Sequence, residues 1–277
     1  MMPMKSIILN EYTKIWSYRA FRVIILLHFI LFFLVVLVTS RLDITIPGFS
    51  TDYLYQFPNI WEFFPWVASW FNLLLAILII VMTGNEYTFR TFRQHVIDGL
   101  SRSDLLTGKG FLILAIAVYS TLMVLLFSLI FGFIFTGDMT ASSFVSKSYI
   151  LLVYFVQAVA YMSTGFLLAI LFRNTALAII LFILYRLIIE PVFRLFFPQE
   201  ARLFFPMKVI SNLTPIPEFL SIASGNDQDP GNVDALNLRE MGLMVEDLPV
   251  YLNLVLAMGY TALFLGLAWL LLRRRNL

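Results

Sequence analysis

Six apolar stretches, each close to the length that crosses a bilayer, dominate this chain: 23–39, 66–83, 111–135, 149–172, 176–197 and 251–272. A helix rises 1.5 Å per residue, so roughly 20 apolar residues bridge the hydrocarbon, where each backbone N–H and C=O must be satisfied within its own segment. Such runs restrict the chain to an all-α polytopic membrane fold, with six transmembrane helices in one domain over 1–277. Composition agrees. Of 277 residues 60% are hydrophobic and 13% charged, whereas about a quarter of a soluble domain is charged. Too few charges remain to coat a water-facing surface.

The same composition excludes whole classes of function. The formal charge is +2 with no basic block outside the ends, so nucleic acid finds no electrostatic footprint. The absence of Cys removes disulfide frameworks, zinc ribbons, iron–sulfur clusters and thiol catalysis, and 2 His leave little for a transition metal. No Ser/His/Asp grouping and no intramembrane protease motif occurs. We therefore expect no catalytic site, no metal and no cofactor in this chain.

Lys and Arg gather at the cytoplasmic ends of membrane helices. With both termini on one side, 12 basic residues fall there, including Arg102, Lys109, Arg173 and the run Arg273-Arg274-Arg275. Six fall opposite, and Arg186 is left inside a span. Of the 17 acidic residues, 12 lie on the less basic side. This bias predicts cytoplasmic termini in a multi-pass protein of the cell (cytoplasmic or inner) membrane. The cytoplasmic material is then the N-terminal stretch, a loop at 84–110 and a tight turn at 173–175. The external material is 40–65, a short loop near 138–147, and 198–250 with its acidic tail at 225–247.

Near the N-terminus, Ile8, Tyr12, Ile15 and Trp16 share one helical face. Trp16, Arg19 and Arg22 are residue types that settle among headgroups. The segment reads either as an anchored leader or as an interfacial helix along the cytoplasmic leaflet, and we expect the second.

The 84–110 loop has internal grammar. Residues 88–98 can form a short helix with Phe89, Phe92 and Val96 at helical spacing, and Gly99 suits its C-terminal cap. Ser101, three before Asp104, makes a capping-box start for the third span. The run Glu86-Tyr87-Thr88-Phe89-Arg90-Thr91-Phe92-Arg93, followed by Leu100-Ser101-Arg102 and Leu105-Leu106-Thr107-Gly108-Lys109, resembles a family loop. That loop is the first cytoplasmic loop of ABC transporter permeases of the ABC-2 type exporter family. Phe89-Arg90 stands where the family has Gly-Thr, and 95–99 replaces a commoner Leu-Leu…Pro segment. Phe205-Pro206 and Ser211-Asn212-Leu213 are similar to a recurrent string between the family's last two spans.

The resemblance implies the transmembrane subunit of an ABC exporter, paired with a second permease copy as a homo- or heterodimer. A separate ABC ATP-binding subunit would bind ATP and Mg and drive it. Consistent with that, Thr107-Gly108-Lys109-Gly110 lacks the spacing of a nucleotide-binding loop. The 88–98 helix is then a coupling helix, with Phe89, Phe92 and Val96 as apolar anchors and Arg90 and Arg93 at the rim. Glu86 would hold the loop's geometry through Arg102 or Lys109. A stand-alone transporter or channel driven by an ion gradient is the rival. It would want intramembrane carboxylates and broken helices near the midplane, and Glu190 is the residue that qualifies. The apolar spans suit lipids, amphipathic peptides or hydrophobic drugs as cargo, while the family also exports ions and polysaccharides.

Three features remain. Arg186 and Glu190 stand at i and i+4 in the fifth span, where side chains can meet. They read as a mutual pair, or as contacts at a dimer interface or substrate path, with Pro191 marking a kink. Asn72 is expected to bond to a neighbouring helix and His28 to be a packed polar residue. The 204–220 segment, broken by Pro206, Pro215 and Pro217, is too short to cross. We expect short helices there that re-enter the outer leaflet and cap the exit.

Overall fold

Pro65 would ordinarily end a helix, because it lacks an N–H and crowds the carbonyl four residues back. In the computed structural model it stands inside one: the second span runs Ile60–Thr88 rather than 66–83. Breaking that turn costs about 3 kcal/mol. Burial of Ile60 and Phe64, both 0% exposed, returns roughly 1.5–3 kcal/mol each.

The structure describes residues 18–42, 45–46, 49–89, 91, 94, 101–138, 140–217 and 248–274. Six helices among them are long and apolar enough to cross a membrane. The first is Arg19–Thr39, the second Ile60–Thr88 and the third Arg102–Phe135. The fourth is Ile150–Phe172, led by the short helix Ala141–Val145. The fifth is Thr175–Arg194 and the sixth Val250–Arg274. Strand among the described residues is a two-residue antiparallel ladder, Thr45–Ile46 with Phe49–Ser50. The all-α, multi-pass expectation holds.

The third span begins nine residues before the expected 111, at Arg102, because its start is capped as Ser101 and Asp104 promise. Ser101 Oγ accepts from the Asp104 N–H at 3.1 Å, and the Ser101 N–H donates to Asp104 Oδ2 at 3.0 Å. With the second span extended to Thr88, most of the expected 84–110 loop is helical. What joins the two spans is 89–101, in which Thr91 and Gln94 are helical. The turn between the fourth and fifth spans is as tight as expected. Arg173 takes the left-handed conformation at φ 53, and Asn174 Oδ1 accepts from the Leu177 N–H at 3.0 Å to start the next helix.

The second and fourth spans form the centre. Gly165 lets their backbones approach: a Cβ there would lie 2.9 Å from the Ala76 carbonyl oxygen. Of their most apolar stretches, 67% and 61% is buried, against 17% for the first, fifth and sixth spans. Those three turn most of their apolar surface outward, which in a bilayer meets acyl chains at no cost.

The fifth span is not one regular helix. Thr175–Leu184 is α, Tyr185–Ile189 is a π turn, and Glu190–Arg194 is α again. It ends three residues short of the expected 197. The irregularity comes just before Pro191, as a wide turn in which the Glu190 N–H bonds to the Tyr185 carbonyl. Two short helices follow, Gln199–Arg202 and Pro206–Ser211.

Candidate functional site

Two helix ends carry the chemistry of the 89–101 connection. Glu86 lies in the last turn of the second span and Lys109 in the second turn of the third. Lys109 Nζ reaches Glu86 Oε1 at 2.7 Å, with the residues 2% and 8% exposed. At that burial, desolvation roughly offsets attraction. The bond's contribution is geometric: it fixes the rotation and height of the two helices against each other.

Of the two partners expected for Glu86, Lys109 is the one in place. Arg102 turns the other way and donates through Nη1 to the Leu272 and Arg273 carbonyls, at 2.9 and 2.7 Å. Those carbonyls belong to the last turn of the sixth span, where a helix exposes unbonded oxygens and partial negative charge. Arg102 thus ties the start of the third span to the end of the sixth.

Around Glu86 stand residues the sequence reading did not single out. Asn85 donates to the Tyr18 hydroxyl at the start of the first span and accepts from Thr175 Oγ1, at the start of the fifth, at 3.5 Å. Gly84 permits this contact, since a Cβ there would fall 2.3 Å from Thr175 Oγ1 and 3.0 Å from its Cα. Arg173 lies over the Tyr87 ring at 5.7 Å. Tyr18, Met82, Asn85, Glu86, Phe89 and Thr91 line a cleft of about 200 Å³. The signal for this node was a small and a polar residue, Gly84-Asn85, directly before a carboxylate at the end of an apolar helix.

Phe89 caps the second span, its N–H bonded to the Asn85 carbonyl at 2.9 Å, and its ring is 67% exposed. Thr91 Oγ1 donates to the Glu86 carbonyl at 3.3 Å, which folds the connection back on the helix it leaves. Arg90, Phe92, Arg93 and Val96 lie outside the described residues, as does Trp16. Arg19 and Arg22 are exposed in the first turns of the first span itself, not on a separate interfacial helix.

The expected Arg186–Glu190 pair is not formed. The segment between them is a π turn, whose i→i+5 bond replaces the α turn that the i, i+4 rule assumes. Glu190, 3% exposed, instead accepts from the N–H groups of Met207 and Lys208 at 3.0 and 2.8 Å. It thereby caps the Pro206–Ser211 helix, whose own N-cap residue, Phe205, has no side-chain acceptor. Arg186 sets its guanidinium 4.9 Å over the Tyr161 ring.

A buried polar chain crosses the bundle. Ser120 and Tyr154 hydroxyls lie 2.5 Å apart, Tyr154 donates to Asn72 Oδ1 at 3.4 Å, and Asn72 Nδ2 donates to Gln157 Oε1 at 3.5 Å. Gln157 Nε2 then donates to the Ile210 and Ser211 carbonyls at 2.9 and 3.1 Å. Asn72 thus bonds between helices as expected. His28 is fully buried against Phe71 and Tyr119, a packed residue as anticipated. No group of three or more metal-ligating side chains occurs among the described residues. No protein-family model matches this chain, and no curated protein is significantly similar to it.

Proposed function

We propose that this chain is the transmembrane subunit of an ABC exporter, forming a substrate path with a second permease copy and driven by a separate ABC ATP-binding subunit. The observation that carries the reading is the buried Lys109–Glu86 bond at 2.7 Å. It joins the two helix ends on either side of 89–101, so a push on that connection moves the second and third spans as one piece. Through Asn85, Thr175 and Arg102 the same node reaches the first, fifth and sixth spans.

In this reading ATP and Mg bind in the partner, and 88–98 is the coupling helix seated in a cleft of that ATPase. The exposed ring of Phe89 suits an apolar anchor. The end bearing Glu86 faces the cytoplasm, as the Lys/Arg bias of the sequence favours. The outward apolar faces of the first, fifth and sixth spans meet lipid and the second copy. The segment after the fifth span re-enters the outer leaflet. Its support is Gln157, seven residues inside the fourth span and so about 10 Å below its end, which holds the Ile210 and Ser211 carbonyls.

The test is association with an ATPase encoded beside this chain. Anchors buried in an interface are worth about 2 kcal/mol or more, and rim charges about 0–1 kcal/mol. Phe92→Ala is therefore expected to weaken co-purification of the ATPase, or to uncouple hydrolysis from transport, far more than Arg90→Ala. Normal transport with no ATPase present, or with Phe89, Phe92 and Val96 all changed to Ser, would overturn the proposal in favour of a gradient-driven transporter.

A further inference from the structure

Arg186 holds its charge at the middle of the bundle. Its guanidinium lies over Tyr161, eleven residues from either end of the fourth span, Ile150–Phe172. At 1.5 Å per residue that is about 17 Å from each end, deeper than the headgroup layer. An arginine near a membrane surface escapes this position by extending its side chain toward water. Arg186 does not.

Nor does a carboxylate answer it. Among the described residues Glu190 is committed to the Met207 and Lys208 N–H groups, Glu86 is bonded to Lys109, and Glu62 to Lys147. A second copy of the chain brings these three carboxylates already engaged in the same way. The Tyr161 ring supplies a π face, which steadies the cation without taking up its five N–H donors. The residue also sits on the π turn Tyr185–Ile189, a local widening of the helix often found at functional positions. Its neighbours Leu187, Ile188 and Ile189 are exposed and apolar. The result is one forked cation beside an exposed apolar stretch, a match for an amphiphile with an anionic head.

We propose that Arg186, backed by Tyr161, is a midplane subsite for the anionic phosphate headgroup of an amphiphile. The proposal rests on the exporter reading only for where the amphiphile goes; binding itself is a property of this chain. Two sources share this chemistry, a transported amphiphile and a resident anionic lipid.

The experiment titrates the purified full chain in detergent with dioleoyl phosphatidylglycerol or dioleoyl phosphatidylcholine and counts retained lipids by native mass spectrometry. Wild type should prefer phosphatidylglycerol by about 10-fold or more, the worth of a charged hydrogen-bonding contact. Arg186→Gln should erase that preference, and Arg186→Lys should keep part of it because it keeps the charge without the fork. Tyr161→Leu, which leaves the charge in place, should weaken binding less than Arg186→Gln does. Equal retention of phosphatidylglycerol by wild type and Arg186→Gln would overturn the subsite. So would an Arg186→Gln variant that falls from dimer to monomer with its lipid preference intact, because Arg186 would then be a protein contact. The two sources separate in proteoliposomes with the ATPase present. If Arg186→Gln also removes stimulation of hydrolysis by phosphatidylglycerol, the bound molecule is transported; if hydrolysis is unchanged, it is resident, and the subsite stands in both cases. Failure of any ATPase to associate would defeat the exporter reading while leaving the lipid measurement to stand.

Discussion

The two ends of this bundle are held by opposite kinds of contact. At one, charge and polar groups set specific partners: Lys109 on Glu86, Arg102 on the Leu272 and Arg273 carbonyls, Asn85 between Tyr18 and Thr175. At the other, rings fill the space. Tyr55 is ringed by Phe63, Phe64, Phe131 and Phe135 at centroid distances of 5.0–5.7 Å, and Phe57 sits among Trp61, Phe133 and Phe144. Aromatic packing excludes water with little directional demand, and each good pair adds about 0.5–1.5 kcal/mol beyond burial. A buried ion pair adds little net energy but tolerates one geometry. The aromatic end closes the bundle, while the polar end ties five of its six spans to one another beside the 89–101 connection.

The largest test of this contrast is Lys109→Met. It removes the buried ammonium from Glu86, so stability should fall by up to about 3–5 kcal/mol, read as thermal unfolding by Trp fluorescence in detergent. The double variant with Glu86→Met should recover most of that loss. A single variant that costs under about 1 kcal/mol would mean the pair does not fix the polar end.

Next in size is Gly84→Ala, expected to cost about 1–3 kcal/mol, typical of overpacking. Gly132→Ala at the aromatic end should cost less, although its Cβ would lie 2.4 Å from Phe57 Cζ. A ring can slide within a loosely directional cluster, whereas at Gly84 the obstruction includes the Thr175 Cα, 3.0 Å away. Equal costs would show the aromatic end to be as rigid as the polar one.

Smaller again is Tyr55→Phe. It removes hydroxyl contacts to the Val36 carbonyl at 2.8 Å and to Thr39 Oγ1 at 2.5 Å. Val36 keeps its bond from the Ser40 N–H and Thr39 its bond to the Val35 carbonyl, so nothing is stranded. The expected loss is about 1 kcal/mol, measured by the same thermal unfolding. The smallest effect belongs to Lys147→Met. Its 2.9 Å pair with Glu62 is the aromatic end's counterpart of Lys109–Glu86, but the side chains are 23% and 12% exposed. Partial solvation should hold the loss to about 0–1 kcal/mol, and high salt should shrink it further.

Legibility followed distance along the chain. The capping box of Ser101 and Asp104 is a three-residue relation and was readable as such, and so was the tight turn at Arg173-Asn174. The 84–110 loop was overdrawn for a physical reason. Glu86, Arg102 and Lys109 look like loop residues by hydropathy, yet they ride on helices because their charges find partners there. The Arg186–Glu190 spacing misled because the i+4 rule assumes an α turn, and a π turn intervenes. Asn72 was readable as an interhelical donor; its partner Gln157, the one amide side chain in the fourth span, carries no local signal of that pairing.

What the sequence alone determined was the number and rough place of the crossing helices and the all-α class. That information is local, since a run of about 20 apolar residues has no other low-energy option in hydrocarbon. What only the tertiary structure decided was which polar group meets which. Glu86 takes Lys109 and not Arg102, and Glu190 takes two backbone N–H groups seventeen and eighteen residues on, not Arg186. Each choice turns on the rotation and offset of one helix against another. Those are set by close approaches such as Gly84 on Thr175 and Gly165 on Ala76, contacts between residues far apart in the chain that no local pattern encodes.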